Sequence, residues 1–182
     1  MTARVTPGGV RDVGPFIAGF ARLAGRVTGT EPPAIFLTLG RHRRLFWRWL
    51  WFAGGLMPGG RLPRRDTELV ILRVAALTGS AYEHAQHARL ARRAGLTAAD
   101  VDRVAIGPQA PGWTPRQALL LRATDELHRT RDLTDQTWAA VRAELDVRLS
   151  IELLLLVGHY EMLATTLNTL RVQPDALREA VR

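Results

Sequence analysis

The most constraining feature of this sequence is a pair of adjoining helical patterns in residues 64–95, separated by Gly79 and Ser80. In the first pattern, apolar residues recur every three to four positions, which is the spacing of one helix face. The second pattern ends at Gly95, and glycine is favoured where a helix terminates in the left-handed conformation. Two helices joined by so short a connection pack against each other as a hairpin. The sequence therefore predicts a helix hairpin around which the other segments assemble.

The other segments are predicted to be helices too, which makes the expected fold class all-α. Ala, Leu and Arg are abundant, and all three are good helix formers. Glycine and proline fall mostly between the periodic segments, and no stretch shows the alternation of a strand. Residues 1–14 contain Pro7 and three glycines and are expected to form a loose arm. The length of 182 residues suits a single domain with its own core.

A markedly aromatic helix is predicted at residues 41–57, just before the hairpin. Trp47 and Trp51 lie one turn apart on one face, and Trp49 and Phe52 lie on other sides. The helix is apolar nearly all round, which is typical of a helix that is buried or shared between subunits. We interpret it as core and subunit contact in preference to an aromatic platform for a substrate. A homo-oligomer is the expected state.

Two residue types are missing, and their absence excludes several chemistries. The sequence has no cysteine, which removes disulfides, thiolate nucleophiles and cysteine-ligated metal sites. It has no lysine either, which removes Schiff-base catalysis by a side chain. All 25 basic residues are arginine, and the net charge of +8 is interpreted as a matter of solubility. No nucleic-acid partner is therefore expected.

Neither end of the sequence predicts secretion or membrane insertion. Residues 1–16 lack the apolar core and cleavage site of a signal peptide. The most apolar run, at residues 151–157, is too short to cross a bilayer. We expect a cytoplasmic protein with no membrane partner.

Four polar residues of the hairpin form the candidate site. Glu68 stands on the apolar face of the first helix, where a carboxylate needs a partner or a proton. Ser80 and Glu83 fit a capping box at the start of the second helix, which gives a structural reason for both. His87 follows Glu83 by one turn and lies on the inward, apolar side. In a packed hairpin both carboxylates lie near His87, an arrangement suited to proton transfer.

A resemblance to a known family rests on these same residues. They are the run 65–75, Tyr82-Glu83, His87 and residues 94–96. Together they closely resemble the core of the carboxymuconolactone decarboxylase family. The resemblance implies an all-α, alkylhydroperoxidase D-like bundle of about seven helices built around a central helix hairpin. It also implies three parts, namely an N-terminal arm and first helix (1–32), the family-like domain (33–172) and a C-terminal tail (173–182).

The resemblance also bears on the chemistry, through one departure from the family motif. In the alkylhydroperoxidase D-like branch the motif is a Glu, a Cys-x-x-Cys pair and a His one turn later. Glu68 and His87 match the Glu and the His, whereas Ser80 and Glu83 stand where the two cysteines would be. Without thiols, the family's peroxidase or disulfide-reductase mechanism cannot operate. The resemblance then implies the cysteine-free decarboxylase branch, in which the retained His acts as acid or base.

We therefore hypothesise a lyase-type or isomerase-type enzyme that acts on a small organic acid or lactone without a cofactor. His87 is the predicted general acid or base, and Glu83 and Glu68 are predicted to orient it or relay protons. The predicted substrate-binding residues are Tyr82, Arg73 and His159. An arginine in such a site is suited to bind a substrate carboxylate through two hydrogen bonds.

Two alternatives remain open at this point. A non-catalytic oligomeric domain would keep the same polar residues as a buried hydrogen-bonded network. A metal-dependent enzyme would use His84 and His87, with His159 as a further ligand. Glu83 and His84, however, point about 100° apart on a helix, so the whole set cannot face one ion.

Overall fold

The computed structural model describes residues 2–178; Met1 and residues 179–182, the extreme ends of the predicted arm and tail, lie outside the described residues. The helices are α1 (Val10–Val13), α2 (Pro15–Thr28), α3 (Ala34–Leu39), α4 (Arg43–Leu56), α5 (Arg64–Thr78), α6 (Ala81–Arg93), α7 (Ala98–Ile106), α8 (Pro115–Thr130), α9 (Asp135–Glu144) and α10 (Val147–Leu170). The all-α prediction is confirmed. The described part of the chain has ten helices where about seven were predicted, because α1, α3 and α7 are short segments of 4, 6 and 9 residues.

The predicted hairpin is the centre of the molecule. Helix α5 packs against α6, α7, α8 and α10. Because neighbours surround it, every residue from Asp66 to Ala75 is buried, including Glu68 and Arg73. Helix α5 ends at Gly79, whose φ of 63° lies in the left-handed region that favours glycine. The tight corner that follows brings α6 back along α5, as the sequence predicted.

The capping box predicted at Ser80 is wrong. Ser80 precedes α6, but its side chain accepts no hydrogen bond from the helix. At Thr97 and Thr114, where side-chain caps do form, ψ is 166° and 157°. At Ser80 the corner after Gly79 holds ψ at 94°, so the hydroxyl is not directed at the first turn. Ser80 is buried instead, and its role is not that of a cap.

The N-terminal segment is not the loose arm that its glycines predicted. Residues 10–13 form α1, and Val13 is almost completely buried. The amide of Arg4 donates to the carbonyl of Leu170 at 2.9 Å, and the amide of Gly8 donates to that of Leu37 at 3.0 Å. The segment is ordered because its few apolar residues reach α2, α3 and α4, a long-range contact that local composition does not reveal.

The segment after α10 crosses the same end of the molecule. The amide of Glu31 donates to the carbonyl of Ala176 at 3.0 Å, and the amide of Arg178 donates to that of Gly29 at 3.1 Å. Thr30 and Leu177 form an isolated antiparallel bridge. These bonds fasten residues 175–178 across the connection between α2 and α3, so this segment forms a strap beside the hairpin.

The aromatic helix α4 is only partly buried. Phe46 is buried, but Trp51 is 88% exposed and Trp47 is 44% exposed. Burial of the whole helix in one subunit, one of the two predicted reasons for its composition, is therefore wrong. Within residues 2–178, no helix has the length and apolar character needed to cross a membrane.

Candidate active site

A cavity of about 560 Å³ lies beside the hairpin, between α2, α4, α6 and α10. Most of its lining is apolar, and the lining residues with polar side chains are Thr28, Tyr82, Glu83, Gln86, His87, His159 and Tyr160. Leu23 and Val27 of α2 line the cavity and are also largely exposed. The opening therefore lies on the α2 side, and the polar residues of α6 and α10 stand at the inner end.

The two hairpin helices bring Glu68 and His87 into direct contact. His87 Nδ1 lies 2.7 Å from Glu68 Oε2, although the two residues are 19 positions apart. Arg64, one turn before Glu68, places Nη2 at 3.0 Å from the other carboxylate oxygen. Glu68 is fully buried behind His87, whereas His87 lines the cavity. The carboxylate thus holds the imidazole by Nδ1 and leaves Nε2 for the cavity.

Glu83 lies at the cavity without a partner. Its side chain is 2% exposed, and neither carboxyl oxygen has a hydrogen-bond partner within residues 2–178. Burial raises the pKa of Glu83 to about 8; the nearby Ser80 hydroxyl opposes this only in part, and the carboxylate of Glu161 adds to it. The carboxyl group is therefore mostly protonated at neutral pH and able to donate a proton. Leaving such a group without a partner costs about 1–3 kcal/mol.

His159 and Tyr160 of α10 form the wall opposite α6. The Tyr160 ring meets both the His87 and the His159 rings edge-on, with centroids 5.0 and 5.2 Å apart. Trp49 of α4 stacks on His159 at 6.3 Å. Burial, with a smaller contribution from His87, lowers the pKa of His159 to about 4, so this imidazole is neutral at pH 7. His159 Nδ1 and Trp49 Nε1 are buried and unpartnered within the described residues.

Tyr82 also lines the cavity, but its hydroxyl is engaged elsewhere. It donates to Asp175 Oδ2 at 2.8 Å and accepts from the amide of Ile35 at 3.3 Å. Asp175 belongs to the strap, and it also accepts from Gln86 and from the amide of Ala34. Burial raises the pKa of both Asp175 and Tyr82. Tyr82 is thus a fixed part of the wall whose ring, rather than its hydroxyl, faces the cavity contents.

Arg73 lies away from the cavity. Its Nε donates to Asp125 Oδ1 at 2.6 Å and its Nη2 to Asp125 Oδ2 at 2.9 Å. Its Nη1 donates to the carbonyls of Val104 and Ala105. These bonds occupy the guanidinium group, and Arg73 is not among the cavity residues. The structure does not bring it to the other predicted substrate-binding residues, because it points to α7 and α8.

The other predicted residues, Ser80 and His84, do not line the cavity either. Ser80 is buried near Glu83, but its Oγ has no partner within the described residues and it does not line the cavity. His84 is exposed on the outer side of α6, while His87 faces inward. The ligand set of the metal hypothesis, His84 with His87 and His159, is therefore not assembled. Among residues 2–178, no group of three or more His, Asp or Glu side chains is placed to hold a metal ion.

Sequence reasoning missed several residues of this site. Arg64 stands one helical turn before Glu68, a spacing that predicts an ion pair and was available in the sequence. Tyr160 adjoins His159, but nothing local showed that its ring would meet His87. Trp49 and Asp175 come from α4 and the strap, and no sequence signal links either one to α6.

The geometry supports acid–base chemistry in a mostly apolar cavity. A histidine held by one carboxylate has a free nitrogen that accepts or donates a proton. A second, protonated carboxyl group lies one helical turn away at Glu83. A carboxyl group kept protonated beside a histidine is a usual acid and base combination.

Comparison with known proteins agrees with this architecture. Residues 43–126 match the carboxymuconolactone decarboxylase family. This region holds α4 to most of α8, including Glu68, Glu83 and His87. A search of curated proteins finds no matching relative.

Solved structures with the same fold cover nearly the whole chain. An uncharacterised peroxidase-related protein from Ralstonia eutropha JMP134, described as an alkylhydroperoxidase AhpD core, has a TM-score of 0.81 at 18% identity and covers 93% of this chain and 92% of its own. A peroxidase-related protein from Silicibacter sp. TM1040 has a TM-score of 0.80 at 13% identity, covering 91% and 88%. The debrominase Bmp8 has a TM-score of 0.74 at 15% identity, covering 95% and 92%. These similarities confirm the predicted alkylhydroperoxidase D-like fold.

Proposed function

Since this chain belongs to the carboxymuconolactone decarboxylase family, we propose that it is a cofactor-independent enzyme that transfers protons on a small molecule held in the cavity. The chemistry is of the lyase or isomerase type. It does not involve a thiol, because the sequence contains no cysteine.

The observation that carries this proposal is the bond between His87 and Glu68. The 2.7 Å contact suits donation from Nδ1 to Glu68, and in that tautomer Nε2 is the proposed base. Arg64 supplies positive charge beside the buried carboxylate. A base held in one orientation loses little freedom when it reacts, which is the usual advantage of such a pair.

Glu83 is the proposed acid. Nε2 of His87 removes a proton from a carbon next to a carbonyl group. The electron pair of the broken C–H bond forms a C=C bond, and the π pair of the carbonyl group moves onto its oxygen. The protonated Glu83 donates its proton to that oxygen and forms the enol. Return of the proton to another carbon completes an isomerisation. Expulsion of a leaving group from the carbon next to the enol, with return of the O–H proton to Glu83, instead completes an elimination. In a decarboxylation no C–H bond is broken first: the C–C bond to a carboxylate placed beta to the carbonyl breaks, CO₂ leaves, the electron pair forms the C=C bond of the enol, and Glu83 protonates the carbonyl oxygen.

Solvent exchange tests this proposal without knowledge of the natural substrate. The protein is incubated in D₂O with a panel of lactones, enolisable ketones and small organic acids, and deuterium at carbon is measured by NMR. We expect exchange with the wild type on at least one compound. His87→Ala should lower the rate by about 10²–10⁴-fold, the usual contribution of a general base.

The matched control is His84→Ala, since His84 lies on the outer side of the same helix. It should leave the exchange rate unchanged. Equal exchange by wild type and His87→Ala would contradict the assignment. If no compound exchanges and none raises the melting temperature, a non-catalytic domain becomes the better account.

That alternative is disfavoured by the unpartnered groups in the cavity. A structural polar network is stable when each buried member is hydrogen-bonded. Both oxygens of Glu83 and Nδ1 of His159 lack partners within the described residues. Unpartnered buried groups of this kind are more typical of a ligand-binding site than of a structural hydrogen-bonded network.

A homo-oligomer remains part of the proposal. Phe16 of α2 is 83% exposed, and Trp51 of α4 is 88% exposed. Large apolar side chains on neighbouring helices commonly mark a subunit contact. Light scattering coupled to size exclusion should give a mass above that of one 20.2 kDa chain. Trp51→Glu should reduce that mass, whereas an elution as a monomer by wild type would contradict the proposal.

A further inference from the structure

Besides Nε2 of His87, the residues that line the inner end of the cavity carry four polar atoms that have no hydrogen bond within the described residues. They are the two carboxyl oxygens of Glu83, Nδ1 of His159 and the indole Nε1 of Trp49, all buried and without a hydrogen-bond partner within residues 2–178. By contrast, the hydroxyl of Tyr82 is bonded to Asp175 and Ile35. The polar groups that remain for a ligand are thus few and are supplied by three different helices.

Two of these groups are hydrogen-bond donors. The indole N–H of Trp49 can only donate. Glu83 is protonated at neutral pH, because burial raises its pKa to about 8, so it presents one O–H together with an accepting oxygen. A ligand that satisfies them must therefore offer an accepting atom, such as a carbonyl oxygen.

Among residues 2–178, no arginine lines the cavity to bind an anionic ligand. Three nearby arginines are engaged already: Arg64 forms an ion pair with Glu68, Arg89 donates to Gln86, and Arg93 donates to the carbonyl of Thr28. A carboxylate bound beside Glu83 would lose its hydration and gain no opposite charge, which is costly. Arg73, the residue expected to bind it, lies on the other side of α5 with Asp125.

The rest of the wall is apolar and rich in rings. Phe20 and Phe36 pack at 5.1 Å, and Trp49 packs against both Phe36 and His159. Leu50 and Leu163 also line the cavity. Flat apolar molecules match walls of this kind by stacking and by removal of apolar surface from water.

We infer that the cavity binds an uncharged, mainly apolar ring compound that presents a carbonyl-type acceptor to Glu83 and Trp49, and that it discriminates against carboxylates. This inference narrows the proposed function, on which it rests for the location of the site. It favours ketones and lactones over free organic acids as substrates.

Acetophenone and benzoate form a matched pair of probes, because they share a ring and a planar carbonyl group and differ in charge at pH 7. Their binding to the full chain is measured by titration calorimetry. A compound of this size should bind with a Kd on the order of 1 mM. We expect acetophenone to bind at least about tenfold more tightly than benzoate. Equal or tighter binding of benzoate, or no binding of acetophenone at about 20 mM, would overturn the inference.

Glu83→Gln separates the donor role from the charge. In the wild type, acetophenone affinity should fall between pH 7 and pH 9, because Glu83 ionises near pH 8 and ceases to donate. Gln retains an N–H donor and does not ionise, so its affinity should stay level over that range. Glu144→Gln, at an exposed carboxylate near Arg116, is the control and should behave as the wild type does. A wild-type affinity that does not change with pH would overturn the assignment of Glu83 as the donor.

Leu50→Arg tests whether the lack of positive charge causes the discrimination against carboxylates, because the added arginine should allow the cavity to bind benzoate. Leu50 is half-buried on α4 and lines the cavity, so a long side chain has room to direct its charge inward. The variant should bind benzoate more tightly than the wild type does by about tenfold, while circular dichroism confirms that it is folded. An unchanged ratio of the two affinities in a folded variant would count against charge as the cause.

These results can be told apart from those that test proton transfer. His87→Ala should lower the exchange rate by about 10²–10⁴-fold, whereas the preference for acetophenone over benzoate should persist, because that preference depends on Glu83 and Trp49. Loss of the probe preference with exchange intact would overturn the ligand class alone. Retention of exchange by His87→Ala with the probe preference intact would overturn the catalytic assignment alone.

Discussion

Two of the buried charged side chains of helix α5, Glu68 and Arg73, have surroundings that differ. Arg73 makes four hydrogen bonds, two to Asp125 and one each to the carbonyls of Val104 and Ala105. On the other side of the helix, Glu68 holds His87, and beyond it stand groups that have no partner within the described residues. We call the Arg73 cluster closed, because its hydrogen bonds are all made within the protein. We call the Glu68 side open, because some of its buried polar groups have no partner within the described residues.

The contrast distinguishes polar groups that hold the fold from polar groups that are placed for chemistry. A buried charge whose bonds are all satisfied within the protein has nothing left to offer a ligand. A buried polar group that lacks a partner destabilises the fold unless a ligand binds it. The presence of such a group in the folded protein therefore points to a function. Burial alone does not separate the two cases, since Arg73 and Glu83 are both buried.

A large effect is expected on the closed side. Arg73→Ala leaves Asp125 and two carbonyls without their donor, and it should lower the free energy of unfolding by about 3 kcal/mol. Urea denaturation measures this. Arg65→Ala is the control, because Arg65 is half-exposed and lies 3.5 Å from Asp100, and it should cost less than about 1 kcal/mol. Similar losses of unfolding free energy in the two variants would show that the hydrogen bonds of Arg73 stabilise the fold no more than an exposed ion pair does.

On the open side, Glu83 should make stability depend on pH. The pKa of its carboxyl group is 4.5 in the unfolded chain and about 8 in the folded protein, so the folded protein holds this proton more strongly. The resulting stability is complete below pH 4.5 and is lost as pH rises towards 8. Relative to Glu83→Gln, the wild type should lose up to about 1.4 kcal/mol per pH unit within that window.

Chemical denaturation at pH 5, 6, 7 and 8 measures the difference between the two proteins. The wild type must be compared with Glu83→Gln at each pH, because His159 changes stability with pH in the opposite direction. Its pKa falls from 6.5 to about 4 on folding, so its contribution is present above pH 6.5 and is lost as pH falls towards 4. The two proteins share this effect, and it cancels. Parallel curves for wild type and Glu83→Gln would show that Glu83 is not a buried acid.

The smallest effect is expected at two buried serines. Ser150 Oγ donates to the carbonyl of Asp146 at 2.8 Å, whereas Ser80 Oγ has no partner within the described residues. Ser150→Ala should lower stability by about 1 kcal/mol. Ser80→Ala should cost less, because Ser80 Oγ only lies near the Glu83 carboxyl and makes no hydrogen bond of normal geometry within the described residues. Thermal unfolding of both variants measures this, and an equal loss at both sites would mean that Ser80 is bonded in solution.

The meeting of Glu68 with His87 was predictable because every step was local. Helical periodicity placed each residue on the inner face, and Gly79 predicted the tight corner that folds one helix onto the other. The same reasoning failed at Ser80, where the spacing fitted a capping box but the corner set a ψ that does not allow the cap. It also failed for Arg73, because no rule of spacing predicts a partner 52 residues away at Asp125.

The sequence by itself determined the helices, the hairpin, the absence of thiol chemistry and the pairing of a histidine with a carboxylate. These follow from residue types and from periodicities within a few helical turns. Only the tertiary structure decided which buried polar groups have their hydrogen bonds made within the protein and which lack a partner. That distinction depends on where α4, α10 and the strap lie relative to α6. It also depends on burial, which is the main reason that the pKa of Glu83 rises to about 8. Such long-range contacts are set by the packing of the whole chain, so the cavity and its preference for uncharged ligands appear only after the chain has folded.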